Sequence, residues 1–318
     1  MYRVGVDLGG TNITVGIIDE NLTIIGRSKL KTNLPRHFDE VFSDIIRAIY
    51  FAIEDADISI IDISSIGVGV PGAVDSQSGV IDFSSNLKIY NMSIKSELEK
   101  TFNKPVFITN DANCAALAEK KVGAGRNAKN LIAITLGTGI GGGVIINDKL
   151  ITGVNGATGE IGHMVIDFDG IECGCGRKGC WEKYASATAL ARQTKEALAK
   201  DLYKKSIIWE MIENDLSKIG ARTAFEAMKN GDKIGKQIVD GYTKYLACGI
   251  TNLINIFQPD VLCIGGGMSN EGDTLLIPVI RIVEKERYSL YSSKQTKICI
   301  AELKNDAGII GAALLNEI

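Results

Sequence analysis

Hydrophobic positions alternate with small or polar ones from Arg3 to Leu8, pause at Gly9-Gly10-Thr11-Asn12, and alternate again from Ile13 to Ile18. A period of two on both sides of a glycine turn predicts strand, turn, strand. The pattern returns over Leu131 to Ile146, and a gapless shift of 128 positions lays Leu136 on Leu8, Gly137 on Gly9, Ile145 on Ile17 and Ile146 on Ile18. The chain therefore reads as an internal pair, two related α/β domains around a cleft into which the glycine turns point. Helical spacing takes over at Val41, Ile45, Ile49 and Ile53, and again from Ile234 through Ile238, Tyr242, Leu246, Ile250 and Leu253 to Phe257, where Pro259 ends it. Ile60 to Val70 reads as a strand leading into Pro71-Gly72, Val106 to Thr109 as another, and Val261 to Ile264 as a short buried one ending in Gly265-Gly266-Gly267. Asp306 to Ile318 reads as a helix with Asp306 as its cap, packing back on the first domain. With chain crossings near Thr109 and Asn305, the expected division is 1–108 plus 305–318 as a small N-terminal α/β domain and 109–304 as a large one.

Composition narrows the functions this pattern can serve. A length of 318 residues favours two domains, and 45% hydrophobic residues are enough to fill them. A net charge of -3 and a pI near 5.6 argue against a general nucleic-acid or membrane-surface binder, which needs a basic face. The longest uncharged apolar stretch, Leu131 to Asn147, is broken by glycines and falls short of the roughly 20 residues of a membrane helix. Met1 to Val6 lacks a charged leader with an apolar segment behind it. Seven cysteines without a regular framework fit a reducing cytoplasm, and Cys114, Cys248, Cys263 and Cys299 lie in apolar runs as small core residues.

The other three cysteines stand apart. Glu160-Ile161-Gly162-His163 precedes Cys173-Gly174-Cys175-Gly176-Arg177-Lys178-Gly179-Cys180-Trp181-Glu182, so one of two histidines and three cysteines fall within 18 positions. One His and three Cys make a closed tetrahedral zinc set, and a closed set leaves no open position for a catalytic water. The predicted zinc loop spans 163–180, with Arg177 and Lys178 as exposed loop charges. Glu160 and Glu182 flank it and remain available to accept hydrogen bonds. Carboxylates with an Asn and a His suit a neutral polyol, whereas an anionic substrate would require Arg or Lys.

The first glycine turn lacks the helix of a dinucleotide fingerprint and the Gly-Lys-Ser/Thr of a Walker loop. Asp7 at the end of its strand would face phosphate charge, which Mg2+ between them resolves; backbone amides of Gly9, Gly10, Thr11 and Asn12 with the Thr11 hydroxyl then suit phosphate oxygens. Alternatively the turn is a plain hairpin, a reading its echo at Leu136 to Gly143 weighs against. Asn110-Asp111 opens the helix Ala112 to Glu119. Asp111 is there either an N-cap or a base that accepts a proton from an attacking hydroxyl. A helix N-terminus lowers a carboxylate pKa, but phosphoryl transfer asks mainly for orientation.

Together, Asp7-Leu8-Gly9-Gly10-Thr11-Asn12, Val70-Pro71-Gly72, Asn110-Asp111-Ala112-Asn113, Leu136-Gly137-Thr138-Gly139-Ile140-Gly141, Gly159 to His163 and Cys173 to Glu182 resemble the ROK family of sugar kinases and sugar-responsive repressors over nearly the whole chain. The resemblance implies the actin-like ATPase (ribonuclease H-like) fold, with Asp111 as catalytic base and Asn110, Glu160, His163 and Glu182 on the sugar. It implies structural zinc on His163, Cys173, Cys175 and Cys180, and ATP surrounded by Gly10 to Asn12, Thr138, Gly139, Gly265, Gly266 and Gly267. Gly72 and Asn86 join the sugar site on a weaker signal. The run Gly176 to Ser186 is similar to that of bacterial glucokinases, so the implied reaction is Mg-ATP-dependent phosphorylation of glucose at its 6-hydroxyl, with N-acetylmannosamine, fructose, mannose and allose as alternatives. A homodimer or homotetramer follows from the same resemblance. A sugar-responsive regulator needs a DNA-binding extension, for which a first strand starting beside Met1 leaves no space. A filament or chaperone ATPase would leave the zinc loop and Asn110-Asp111 unexplained.

Overall fold

The structure is a computed structural model that describes residues 1–84 and 87–317. In chain order its strands are β1 Tyr2–Leu8, β2 Asn12–Ile18, β3 Ile24–Lys31, β4 Ile63–Val70, β5 Ala73–Asp75, β6 Val80–Ser84, β7 Ile89–Ser93, β8 Val106–Asn110, β9 Leu131–Leu136, β10 Ile140–Ile146, β11 Lys149–Leu150, β12 Val261–Gly265 and β13 Lys297–Ile300. The helices are α1 Phe38–Asp55, α2 Lys95–Phe102, α3 Asp111–Lys121, α4 Glu182–Ala185, α5 Ala187–Lys200, α6 Ile208–Met211, α7 Thr223–Lys229, α8 Lys233–Phe257, α9 Asp273–Glu286 and α10 Ala307–Ala313. Two compact units emerge: 1–133 with 142–159 and 301–318, and 134–141 with 160–300.

The repeat seen in the sequence is a repeat of topology. One sheet has the order β3-β2-β1-β4-β8 and the other β11-β10-β9-β12-β13. In each, an antiparallel hairpin arm joins a parallel pair: β1 runs antiparallel to β2 and parallel to β4, while β10 and β11 are antiparallel and β12 and β13 parallel. Glycine turns join β1 to β2 and β9 to β10 at corresponding places.

In the first unit, α1 covers one face of the sheet with Val41, Ile45, Ala48, Ile49, Ala52 and Ile53. The other face receives α10, which approaches so closely that a Cβ at Gly5 would lie 2.0 Å from the Ile309 carbonyl oxygen and one at Gly67 1.8 Å from that of Ala312. Only glycine fits under this helix, since side chains from the strands would hold it off. The closing helix thus packs in the first unit as expected. Its cap differs: Asp306 makes no side-chain bond to the helix and instead takes both guanidinium nitrogens of Arg27 at 2.7 and 2.8 Å. A bidentate arginine competes better for this carboxylate than an amide does. The strand expected from Ile60 begins only at Ile63, because Ser59 and Asp62 close a capping box over a single 3-10 turn at 60–62.

In the second unit the long helix α8 carries the core, with Tyr242, Leu246, Ile250 and Leu253 buried along it. Trp181 is fully buried and donates its indole N–H to the Tyr245 carbonyl at 2.8 Å. The slot for it exists because position 249 is glycine, where a Cβ would lie 2.0 Å from the indole ring. Among the described residues no helix is long and apolar enough to cross a membrane.

Candidate active site

The first unit presents two carboxylates near the ends of β1 and β8, the strands on either side of β4 in its sheet. Asp7 lies in β1 opposite Thr14 of β2, on the same face as Asn12, since alternate strand residues share a face. Burial, reinforced by the negative Asp111, pushes the Asp7 carboxyl up to about 6. Asp111 is also raised, by burial, against the lowering bond from the Ala112 amide. The expectation that the helix start would weaken this base is thereby corrected: desolvation outweighs the helix terminus. Both residues are packed deep yet keep part of their surface accessible. The cap is also reassigned. Asn110, not Asp111, holds the extended N-cap geometry and accepts the Ala112 amide at 2.8 Å through Oδ1, while its Nδ2 donates to the Gly72 carbonyl at 2.9 Å. Asp111 is the first residue inside α3 and shares the same amide at 2.9 Å.

Gly72 sits at φ 117°, and a Cβ there would fall 2.2 Å from the Phe83 carbonyl oxygen, so this position needs glycine to bring the chain back beside Asn110. Asn86 lies outside the described residues.

The first glycine turn is closed by the Gly9 amide on the Asn12 carbonyl at 2.9 Å. Thr32, a buried residue that pattern reading missed, braces it by donating its hydroxyl to the Gly9 carbonyl at 2.7 Å and its amide to that of Thr11 at 3.0 Å. Gly10 and Thr11 are exposed at the tip. The Asn12 Oδ1 atom is buried with no hydrogen-bond partner. An orphan amide oxygen and a carboxylate on one face are hard oxygen donors, which suits a Mg2+-type cation.

The second unit repeats the device. In the turn after β9, the Gly137 carbonyl accepts the Ala187 amide at 2.9 Å and the Thr138 carbonyl accepts the Thr188 hydroxyl at 2.8 Å, both from the start of α5. With those carbonyls engaged, Thr138 stands exposed at the tip beside Gly139. Gly266, at φ 81°, brings the Gly265-Gly266-Gly267 run against this turn: its Cβ would lie 2.5 Å from the Leu136 carbonyl oxygen. Ser269 and Asn270 then bond back to the carbonyls of Gly266 and Gly267 at 2.7 and 3.0 Å.

His163, Cys173, Cys175 and Cys180 come together with their ligand atoms all within 4.8 Å of one another. Cys173 Sγ is 3.6 Å from His163 Nδ1, and Cys175 Sγ is 3.6 Å from Cys180 Sγ. Ligands at zinc distances from a tetrahedral centre lie about 3.5–3.8 Å apart, so the donor set and these two separations fit zinc. The loop is shaped for this by the Cys173 amide on the Arg177 carbonyl at 2.8 Å and by Gly179, where a Cβ would meet the Asp167 carbonyl oxygen at 1.5 Å. Burial and the neighbouring thiols push Cys180 up to about 12. For Cys175, burial opposes ionisation but the Arg177 amide and the two thiols outweigh it, and its pKa is lowered. Lys178 pairs loosely with Glu172 at 3.7 Å, and Arg177 reaches the His163 carbonyl at 3.4 Å.

His163 thus turns Nδ1 to the cysteines, and its Nε2 lies 3.9 Å from Oε2 of Glu160, the residue just before the 3-10 turn Ile161–His163. Glu182 follows the Trp181 anchor directly and accepts the Ile140 amide at 3.0 Å through Oε2.

Comparison with known proteins decides the family. The ROK family profile matches residues 3–317. The chain belongs to the ROK family. It is 36% identical over 312 residues to a glucokinase from Thermotoga maritima, covering 98% of this chain and 95% of that one. It is also 30% identical over 308 residues to a xylose repressor from Caldicellulosiruptor bescii, covering 97% of this chain and 76% of the repressor. Among solved ROK structures, a glucokinase from Streptomyces griseus in complex with glucose and AMPPNP superposes with a TM-score of 0.86 at 32% identity over 99% of both chains. The duplicated sheets are accordingly those of the actin-like ATPase fold that ROK proteins share.

Proposed function

We propose that this protein transfers the γ-phosphoryl group of ATP to the 6-hydroxyl of glucose, releasing ADP and glucose 6-phosphate. The observation that carries the reading is the pair of raised carboxylates Asp7 and Asp111, which offers one group for a cation and one for a proton. Asp111 orients the sugar hydroxyl and takes its proton as the new O–P bond forms and the bond from Pγ to the departing ADP oxygen breaks. A raised pKa makes it a better acceptor at the moment of transfer. Asn110 holds Gly72 beside it, and Glu160, His163 and Glu182 accept or donate to the remaining hydroxyls. The turns at Gly9 to Asn12, Thr138-Gly139 and Gly265 to Gly267 hold the nucleotide. Asp7 with Asn12 would hold Mg2+, which when bound neutralises phosphate charge beside the carboxylate. His163, Cys173, Cys175 and Cys180 would hold a structural zinc that fixes the loop bearing His163 and Glu182. We place the protein in the cytoplasm, where ATP and reduced thiols are present.

The sugar is tested by ADP release across glucose, mannose, fructose, allose, N-acetylmannosamine and xylose. Glucose should give the highest kcat/KM, and xylose, which carries no 6-hydroxyl, should bind without turnover. Sugar binding with no ADP release from any hexose would replace this reading with that of a sugar-responsive regulator.

A further inference from the structure

In the second unit, the Glu182 carboxylate touches the nucleotide turn as well as standing in the proposed sugar set. Oε2 accepts the Ile140 amide at 3.0 Å, and a Cβ built on Gly139 would lie 2.1 Å from that same oxygen. The adjacent Trp181 is clamped in the α8 slot, so the backbone that carries Glu182 is fixed and only its side chain can move. A carboxylate has more acceptor sites than one amide uses. One oxygen can therefore keep the turn while the other takes a sugar hydroxyl.

We infer that Glu182 couples the two substrates: it is a positioning residue for the nucleotide turn, and sugar binding orders that turn before nucleotide arrives. The inference rests on the sugar-kinase reading above. A hydroxyl donated to Glu182 removes its rotamer freedom and so holds Oε2 on the Ile140 amide. This fixes the turn at Thr138-Gly139, and the nucleotide then binds with less left to order. Linkage requires the reverse effect of equal size: nucleotide tightens sugar. The absence of a side chain at position 139 is what allows the contact. The φ of Gly139 lies outside the left-handed region, so alanine is tolerated there by the backbone and acts by displacing the carboxylate.

The test uses the full chain with glucose and AMPPNP, titrated calorimetrically, with Gly139→Ala and Gly137→Ala as a matched pair. At Gly137 an added Cβ meets nothing within 4 Å, so that variant perturbs the same turn without touching Glu182. Wild-type protein should bind AMPPNP about five- to tenfold tighter with glucose present, and glucose tighter by the same factor with AMPPNP present. Gly139→Ala should weaken glucose about tenfold with no nucleotide in the cell, because a bond to a charged acceptor is lost. Gly137→Ala should leave that glucose affinity unchanged. Independently of any variant, glucose alone should slow hydrogen exchange at the Ile140 amide of the wild-type protein. Independent binding of the two ligands, unchanged glucose affinity in Gly139→Ala, equal weakening in both glycine variants, or an Ile140 amide indifferent to glucose would each overturn the coupling. Failure of wild-type protein to bind glucose at all would instead bring down the sugar-kinase reading, and the coupling with it.

Discussion

Asp7→Asn should make the metal-free protein more stable while removing its activity. The carboxyl stands at 3.8 unfolded and about 6 folded, raised first by burial and then by Asp111. At 1.36 kcal/mol per pH unit this rise corresponds to about 3 kcal/mol by which ionised Asp7 opposes folding above pH 7. The direction follows from the rise itself. Below pH 3.8 the group is protonated in both states and opposes nothing, and as pH climbs through 6 the folded protein must ionise a buried acid. Asparagine keeps the shape and never ionises. Its advantage should therefore be close to 3 kcal/mol at pH 7.5 and shrink to about 1 kcal/mol at pH 4.5, the first figure being a ceiling because Asp7 retains some accessible surface. Urea denaturation followed by circular dichroism, without Mg2+ or nucleotide, reads this directly: at a slope of about 3 kcal/mol/M the midpoint moves up by about 1 M at pH 7.5. With Mg2+ and AMPPNP at about 100 times their Kd, the wild type alone gains about 2.7 kcal/mol and the gap closes. A variant no more stable than wild type at pH 7.5, or equally advantaged at both pH values, would refute the reasoning.

Zinc removal acts on the other unit. On the proposed zinc site of His163, Cys173, Cys175 and Cys180, a chelator should raise the glucose KM before it changes AMPPNP affinity, as measured by separate titrations of the two ligands. Simultaneous loss of both would mean that the ion supports the whole unit. Gly249→Ala should destabilise the protein by about 1–3 kcal/mol, because its Cβ would lie 2.0 Å from the Trp181 ring, and should weaken glucose through the adjacent Glu182; an unchanged melting temperature would show that the slot can expand.

Local pattern carried much of this site, and tertiary packing decided the rest. Period-two alternation around Gly9-Gly10 is legible because large apolar side chains face α1 while Gly5 and Gly16 lie on the face that admits α10, and the 128-residue echo survives as the same strand order in both sheets. The cysteine cluster is legible because its ligands are close in sequence. Asp111 illustrates the opposite case. Its place at a helix start argued for a lowered pKa, yet how deeply the strands and α3 enclose it is a property of the folded unit, and that enclosure raises it. Asp306 looked like a cap because nothing in its own segment announces Arg27, 279 positions away. Thr32 behind the first turn, Gly249 behind Trp181 and Ile140 on Glu182 were equally silent, since each is a contact between distant segments that leaves no period or spacing.

The central claim is that Asp111 is the base of a sugar phosphotransfer. It is tested most directly by measuring ADP release and glucose affinity side by side in Asp111→Asn. The account predicts a fall of about 10²- to 10⁴-fold in kcat with glucose still bound measurably; turnover near that of the wild type would contradict it.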